Sequence, residues 1–274
     1  MTTESSKAPQ VQGRKPQRTS LQVTLSVWKA LLLRGAVMRL FSSRAAWFWL
    51  LLEPVWHIGY MMLIFAVVKV RHVAGIETTV WVMAGLLSFF AFRRPAQQGM
   101  NAVNANSALY TYRQVKPIDA VLTRCVLEGL LAIVTTVIIV SLTAMAGIDV
   151  VPDDPFAVLQ AFVGMWVLGV GFGLAASVAV EIAPEAGRMI GIVMTPLYFA
   201  SGVIFPIGLV SPTYRQWLML NPLAHGLEAT RKGFADHYHP IPETSMGYFY
   251  GCALAVLFFG LALHRRYADK MVTQ

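Results

Sequence analysis

The stretch MIGIVMTPLYFASGVIFPIGLVSPTYRQWLMLNP, residues 189–222, decides how the rest of the chain is read. It is apolar enough to enter a bilayer, yet Gly191, Pro196, Gly202, Pro206, Gly208, Pro212 and Pro222 interrupt it. Each proline removes a backbone donor and crowds the preceding turn. A freed carbonyl facing lipid costs several kcal/mol, so broken backbone at membrane depth has to lie against protein or water. The segment is expected to dip into the membrane without spanning it, and such interruptions point to a transport path. The simpler alternative is a helix that ends near Ile204, followed by a loop.

The bulk composition agrees with a membrane setting. Of 274 residues, 56% are hydrophobic and 13% charged, whereas soluble domains average about 25% charged. Too little polar surface remains to cover a globule, which makes the class an integral membrane protein. Cys125 and Cys252 lie in separate apolar regions without metal spacing and read as inert thiols. The first 45 residues lack the apolar core and small-residue cleavage site of a cleaved signal peptide.

Outward from the opening stretch, the pattern is all-α with six transmembrane helices. The spans are expected at 46–68, 79–92, 119–147, 156–180, 189–205 and 246–263 within one membrane domain over 46–264. A helix needs about 20 residues to cross a core of about 30 Å. The second span is short, so its helix is expected to start near Gly75 or to run past Arg93 and Arg94. Residues 1–18 read as a disordered basic tail, and 265–274 as a short terminal tail. Residues 19–45, with Thr19–Ser20 as a plausible N-cap, read as an amphipathic helix lying in the headgroup layer. The alternative for it is a helix packed on protein.

Charge sets the orientation. Seventeen Lys and Arg fall in the N-terminal region, in 93–124, at Arg188 and in the tail, against five (Lys69, Arg71, Arg215, Arg231 and Lys232) in the opposite loops. Positive charge concentrates on the cytoplasmic side, so both termini are expected in the cytoplasm. The net charge of +8 is thereby accounted for without nucleic acid.

The chain has no GxxxxGK[ST] loop, HExxH or GxSxG motif, so no phosphate-loop ATP site or zinc-protease or hydrolase site is read from it. His237 and His239 share a polar loop, and zinc binding there is not favoured. Trp49, Glu53, Trp56 and Tyr60 fall on one face of the first span. Aromatic faces suit sugar rings, and a mid-span carboxylate normally faces a cavity or a partner. Interfacial anchoring of the aromatics, with Glu53 paired to Arg93 or Arg94, is the structural alternative. The polar connector 95–117 is long enough to offer a docking surface. Glu181, Glu185 and Arg188 allow an i,i+3 pair on a short helix. His225, Glu228 and Arg231, at i, i+3 and i+6, are the best candidates if the chain is instead a lipid-modifying membrane enzyme.

PLYFASGVIFP (196–206), followed by NPLAHGLEATRKGF (221–234), resembles the permease subunits of type-2 ABC exporters, most closely those of bacterial capsular-polysaccharide export. The pattern consists of Ser201, Gly202, Phe205 and Pro206, then Asn221, Pro222, His225, Glu228 and Arg231. Glu53–Pro54 and the basic N-terminal helix fit as well. The resemblance implies a homodimer in the bacterial inner membrane, driven by two copies of a cytoplasmic ATPase that binds ATP and Mg; this chain itself holds no cofactor or metal. It implies re-entrant helices between spans 5 and 6, with Ser201, Gly202, Pro206, Asn221, Pro222, His225, Glu228 and Arg231 at a periplasmic gate. Coupling to the ATPase would fall to Asn104, Tyr110, Tyr112, Arg113, Lys116, Glu181, Glu185 and Arg188. The path would carry Trp49, Glu53, Trp56, Tyr60, Tyr198, Phe199 and Phe205. The cargo would be a lipid-linked polysaccharide, handed to a periplasmic adaptor and an outer-membrane channel; O-antigen, teichoic acid or another glycan is the alternative.

Overall fold

The computed structural model describes residues 19–41, 44–67, 72–112 and 114–271. Arg113 and the N-terminal tail therefore lie outside the described residues, as do Lys69, Arg71 and residues 272–274.

The helices are α1 (Ser20–Leu40), α2 (Ala46–Val67), α3 (Thr78–Met100), α4 (Pro117–Met145), α5 (Pro155–Ile182), α6 (Glu185–Ala200), α7 (Pro212–Leu218), α8 (Pro222–Phe234) and α9 (Met246–Tyr267). Their starts follow the local chemistry. Thr19 caps α1 in a capping box with Gln22. Asp154 accepts from Ala157 N and Asn221 from Leu223 N, each with proline at the first helical position. Between α2 and α3 a hairpin pairs β1 (His72–Val73) with β2 (Ile76–Glu77). Its turn residues, Ala74 and Gly75, both have positive φ, as a two-residue hairpin turn demands. α3 begins at Thr78, directly after this hairpin and three residues beyond Gly75, and runs past Arg93 and Arg94 to Met100, so the short second span is extended at both ends.

Five described helices, α1, α2, α4, α5 and α9, are long and apolar enough to cross a membrane. α3 falls short on composition, with two arginines and two glutamines in its last turns. It is buried among α2, α4, α5 and α8 rather than facing outward. A helix shielded by protein on most sides need not be lipophilic. α6, at 16 residues, is shorter than the roughly 20 needed to span.

The centre of the bundle is α5, packed between α3 and α9. Its glycines set the spacing. A Cβ on Gly169 would lie 2.5 Å from the Phe92 carbonyl oxygen, and one on Gly171 2.5 Å from the Leu257 nitrogen. Backbones meet directly at both contacts, the close approach that small residues permit between membrane helices. Around this centre the core gathers Trp81, Phe89, Met165, Leu227 and Phe249.

One face of α1 packs on protein. Trp28 Nε1 donates to Asp119 (2.9 Å), Gly35 touches Leu127, and Arg39 reaches Glu128, so α1 runs in the same direction as the first turns of α4. Its other apolar residues, Leu21, Leu25, Leu33, Val37 and Met38, stay exposed around the helix instead of keeping to one arc.

Most basic residues collect at one end of the bundle. There Arg34, Arg39, Arg93, Arg94, Lys116, Arg124, Arg188, Arg265 and Arg266 surround the ends of α1, α3, α5 and α9 and the starts of α2, α4 and α6. At the far end, among the described residues, only Arg215, Arg231 and Lys232 are basic.

Candidate functional site

The proline- and glycine-interrupted segment 189–222 folds into a corner at the far end. α6 continues through Pro196 and stops at Ala200. Gly202 then adopts φ 73°, a left-handed turn that glycine enters without strain. A short 3₁₀ turn over Ile207–Leu209, α7 and α8 follow, none long enough to span.

One buried arginine holds the corner. Arg231 is fully buried, with its guanidinium 3.6 Å over the Trp81 ring. Its Nη2 donates to the carbonyls of Gly202 (2.8 Å) and Val203 (3.3 Å), and its Nη1 to Glu228 Oε1 (3.0 Å). Glu228 Oε2 accepts from Tyr238 OH (2.8 Å) and from Ile241 N (3.3 Å). Asn221 Nδ2 donates to Ser201 Oγ (2.8 Å), tying the end of α6 to the start of α8. His225 Nδ1 accepts from Ser245 N (3.0 Å), so Nε2 carries the proton it gives to the Met219 carbonyl (2.8 Å). Burial lowers the pKa of this imidazole, while the Met219 carbonyl and Glu228 act the other way. His225, Glu228 and Arg231 are therefore a satisfied structural clasp joining α3, the corner, α8 and the start of α9. Protein groups occupy their polar atoms, which argues against an enzymatic constellation.

The aromatic stripe of α2 turns outward. Trp49 and Trp56 are 63% and 69% exposed, Glu53 is also exposed, and Tyr60 is half-buried. Among the described residues Glu53 has no ion-pair partner within 4 Å, so the alternative of a pair with Arg93 or Arg94 is not what forms. Beside it, α6 approaches through Tyr198, whose ring meets His57 of α2 (6.3 Å) and Phe89 of α3 (5.0 Å). Tyr198 is buried, Phe199 is half exposed, and Phe205 packs near Ile207 and Met219 in the corner. Met189, Ile192 and Val193 leave the rest of α6 apolar and exposed.

At the basic end, residues 101–112 and 114–116 belong to a connector around a 3₁₀ helix, Asn104–Leu109. Tyr110 is buried and donates to the Val103 carbonyl (3.1 Å), anchoring it. Asn104, Tyr112 and Lys116 face outward. Glu181 ends α5, and Glu185 pairs with Arg188 (3.1 Å) on the exposed first turn of α6.

Between this connector and α1 lies a cavity of about 480 Å³ that the sequence did not disclose. Arg34 and Arg39 of α1, Trp49 and Glu53 of α2, and Arg124 of α4 line it, with Gln98, Asn101 and Asn106. Glu128, fully buried below, lies 2.9 Å from Arg39 Nη2 and 3.5 Å from Arg124 Nε, ion pairs by distance that lack hydrogen-bond alignment. Arg124 Nη2 also donates to Gln98 (2.7 Å). These residues lie on α1, α2, α3, the connector and α4, up to about ninety positions apart, and no sequence motif joins them.

A helical bundle with five helices long and apolar enough to cross a membrane, among the described residues, has the architecture of an integral membrane protein. The ABC-2 type transporter family matches residues 27–235, and the chain belongs to that family. Among curated proteins it is similar to the polysialic acid transport protein KpsM of Escherichia coli, with 31% identity over 93% of this chain and 99% of the relative. It is also similar to the capsule polysaccharide export inner-membrane protein CtrC of Neisseria meningitidis serogroup A (27%, 93% of this chain and 96% of the relative). The capsule polysaccharide export inner-membrane protein BexB of Haemophilus influenzae is 23% identical over 94% of this chain and 97% of the relative.

Proposed function

We propose that this chain is the transmembrane subunit of an ATP-driven exporter that moves lipid-linked capsular polysaccharide out of the cytoplasm across the inner membrane. The relatives named for capsule export and polysialic acid transport support the cargo class. The observation that carries the mechanism is Glu53, exposed on α2 between Trp49 and Trp56 and, among the described residues, without an ion pair within 4 Å. A carboxylate is costly against hydrocarbon, so this face turns to a partner or to a polar path. Two copies related by a two-fold axis, meeting through the exposed faces of α2 and α6, would enclose such a path and line it with indoles on which sugar rings stack.

In this arrangement the basic end faces the cytoplasm, by the positive-inside rule, with both termini there. Two copies of a separate ATPase dock on Asn104, Tyr112 and Lys116 and on the Glu185–Arg188 turn, and they supply ATP and Mg. The clasped corner lies toward the periplasm, with α7 and α8 re-entrant, and guards the exit. A periplasmic adaptor and an outer-membrane channel continue the route.

The test is twofold. A tagged chain drawn from its native membrane in mild detergent should bring a roughly stoichiometric partner carrying a phosphate-loop motif; isolation of the chain alone after cross-linking refutes the exporter. Trp49→Ala/Trp56→Ala/Tyr60→Ala should insert normally but lower surface polysaccharide, and normal export refutes the path.

A further inference from the structure

Between α4 and α5 lies an apolar groove of about 480 Å³. Its floor is made of small residues, Ala91 of α3 with Gly129, Ala132 and Thr136 of α4, and exposed Ile133, Leu159 and Val163 form its rims. Trp166 closes the inner end. Its Nε1 donates to the Cys125 carbonyl (3.0 Å), and a Cβ on Gly129 would lie 2.7 Å from that nitrogen, so the ring is fixed against α4. Pro155, the first residue of α5, marks the other end. From Pro155 to Trp166 the helix rises about 16 Å, half of a hydrocarbon core of about 30 Å. The groove therefore has the depth of one leaflet. A partner's transmembrane helix has to cross both leaflets, whereas an acyl chain ends at the midplane.

The mouth of the groove is acidic. Asp149, Asp153 and Asp154 stand exposed in the turn that leads into α5. Each turns one oxygen to a backbone N–H, of Val151, Asp236 and Ala157 in that order. Among the described residues none of the three has an ion pair within 4 Å, and the neighbouring cation, Lys232, is paired with Asp236. We infer that the groove binds an ammonium-bearing phospholipid of the far-side leaflet, with an acyl chain laid over Ala91 and Gly129 and the ammonium at the Asp153–Asp154 rim. A primary ammonium donates charge-assisted hydrogen bonds to carboxylates, whereas a headgroup of net negative charge is repelled there. Chain packing in the groove adds to that contact, since van der Waals fit is what holds apolar surfaces together within a bilayer. The seated chain covers α3 and braces α4 against α5. The inference needs only the membrane setting of the bundle, not export or its cargo.

The test uses the full-length chain purified in detergent, titrated with phosphatidylethanolamine and, separately, with phosphatidylglycerol of the same chains, and reads bound lipid by native mass spectrometry. Phosphatidylethanolamine should be retained about threefold more, the value of an exposed charge pair. Asp153→Asn/Asp154→Asn keeps both side-chain acceptors and should bring the two lipids to equal retention. Val163→Trp fills the groove and should remove most of the retention of both. Val134→Trp, equally bulky on the exposed face of α4 but outside the groove, should leave both unchanged. Equal retention by the parent, or a preference that survives the double substitution, overturns the headgroup assignment. Retention unchanged in Val163→Trp, or lowered as much by Val134→Trp, overturns the groove. A polypeptide that accompanies the parent from its membrane and is lost in Val163→Trp overturns the lipid in favour of a partner's helix. The lipid readout involves neither an ATPase nor export, so it stands or falls apart from the exporter reading.

Discussion

Arg231 shows how much one side chain decides at the far end. It cradles two carbonyls of the α6 corner, neutralises Glu228 and covers the Trp81 ring. Arg231→Met would keep much of the apolar stem but leave Glu228 a lone buried charge. The expected cost is about 3–5 kcal/mol, read as a large fall in the thermal midpoint of the detergent-purified protein; a midpoint within a degree of the parent would contradict the clasp. His225 supplies a pH signature. Because its folded pKa lies below the ordinary value of 6.5, the fold favours the neutral ring. That contribution is fully present above about pH 6.5 and is lost as pH falls through that value toward the folded pKa. Acidification from pH 7.5 to 5.5 should therefore lower the thermal midpoint of the parent more than that of His225→Gln, and parallel pH profiles would contradict it. Both residues stood out in the sequence through their spacing in NPLAHGLEATRKGF. Their burial did not, because their partners, from Trp81 to Ser245, come from distant segments.

At the scale of elements, the connector between α3 and α4 works as a fixed surface because Tyr110 and Val103 close it from within. Cysteines at Asn104 or Tyr112 should cross-link to the ATPase proposed above in intact membranes, whereas one at Val151, at the other end of the bundle, should not; the reverse pattern would invert the proposed topology. The spacing of the central helices is just as sharply set. Gly171→Val would drive a side chain into the α9 backbone at Leu257. Overpacking of this kind costs typically about 1–3 kcal/mol, and here backbone would have to move. A clear fall in the yield of monodisperse protein is expected, and wild-type yield would show that α9 can shift.

At the scale of the whole molecule, α2 is barely covered by the rest of the fold. Outward Trp49, Glu53 and Trp56 on α2 and exposed Ile192 and Val193 on α6 differ from the aliphatic face of α4, with Leu130, Ile133, Val134 and Val137. If two copies meet there, single cysteines at Trp56 or Ile192 should give disulfide-linked dimers in native membranes, and cysteines at Leu130 or Ile133 should not. Dimers formed equally from the α4 face would reject the α2–α6 interface.

The sequence by itself determined the membrane class, the approximate positions of the long helices and the interruption after Pro196. These depend on composition, proline chemistry and the local spacing of apolar residues, all properties of neighbours along the chain. It also marked Trp49, Glu53 and Trp56, since one helical face is a local pattern. Tertiary structure alone decided that α3, with its arginines and glutamines, lies inside the bundle, because shielding by α4, α5 and α8 replaces lipophilicity. It turned His225, Glu228 and Arg231 into a clasp and Tyr110 into an anchor. It assembled the arginine-lined cavity from α1, α2, α3 and α4, whose guanidiniums belong to no motif. Contacts between residues far apart in sequence depend on how helices pack, and that packing is set by the bundle as a whole.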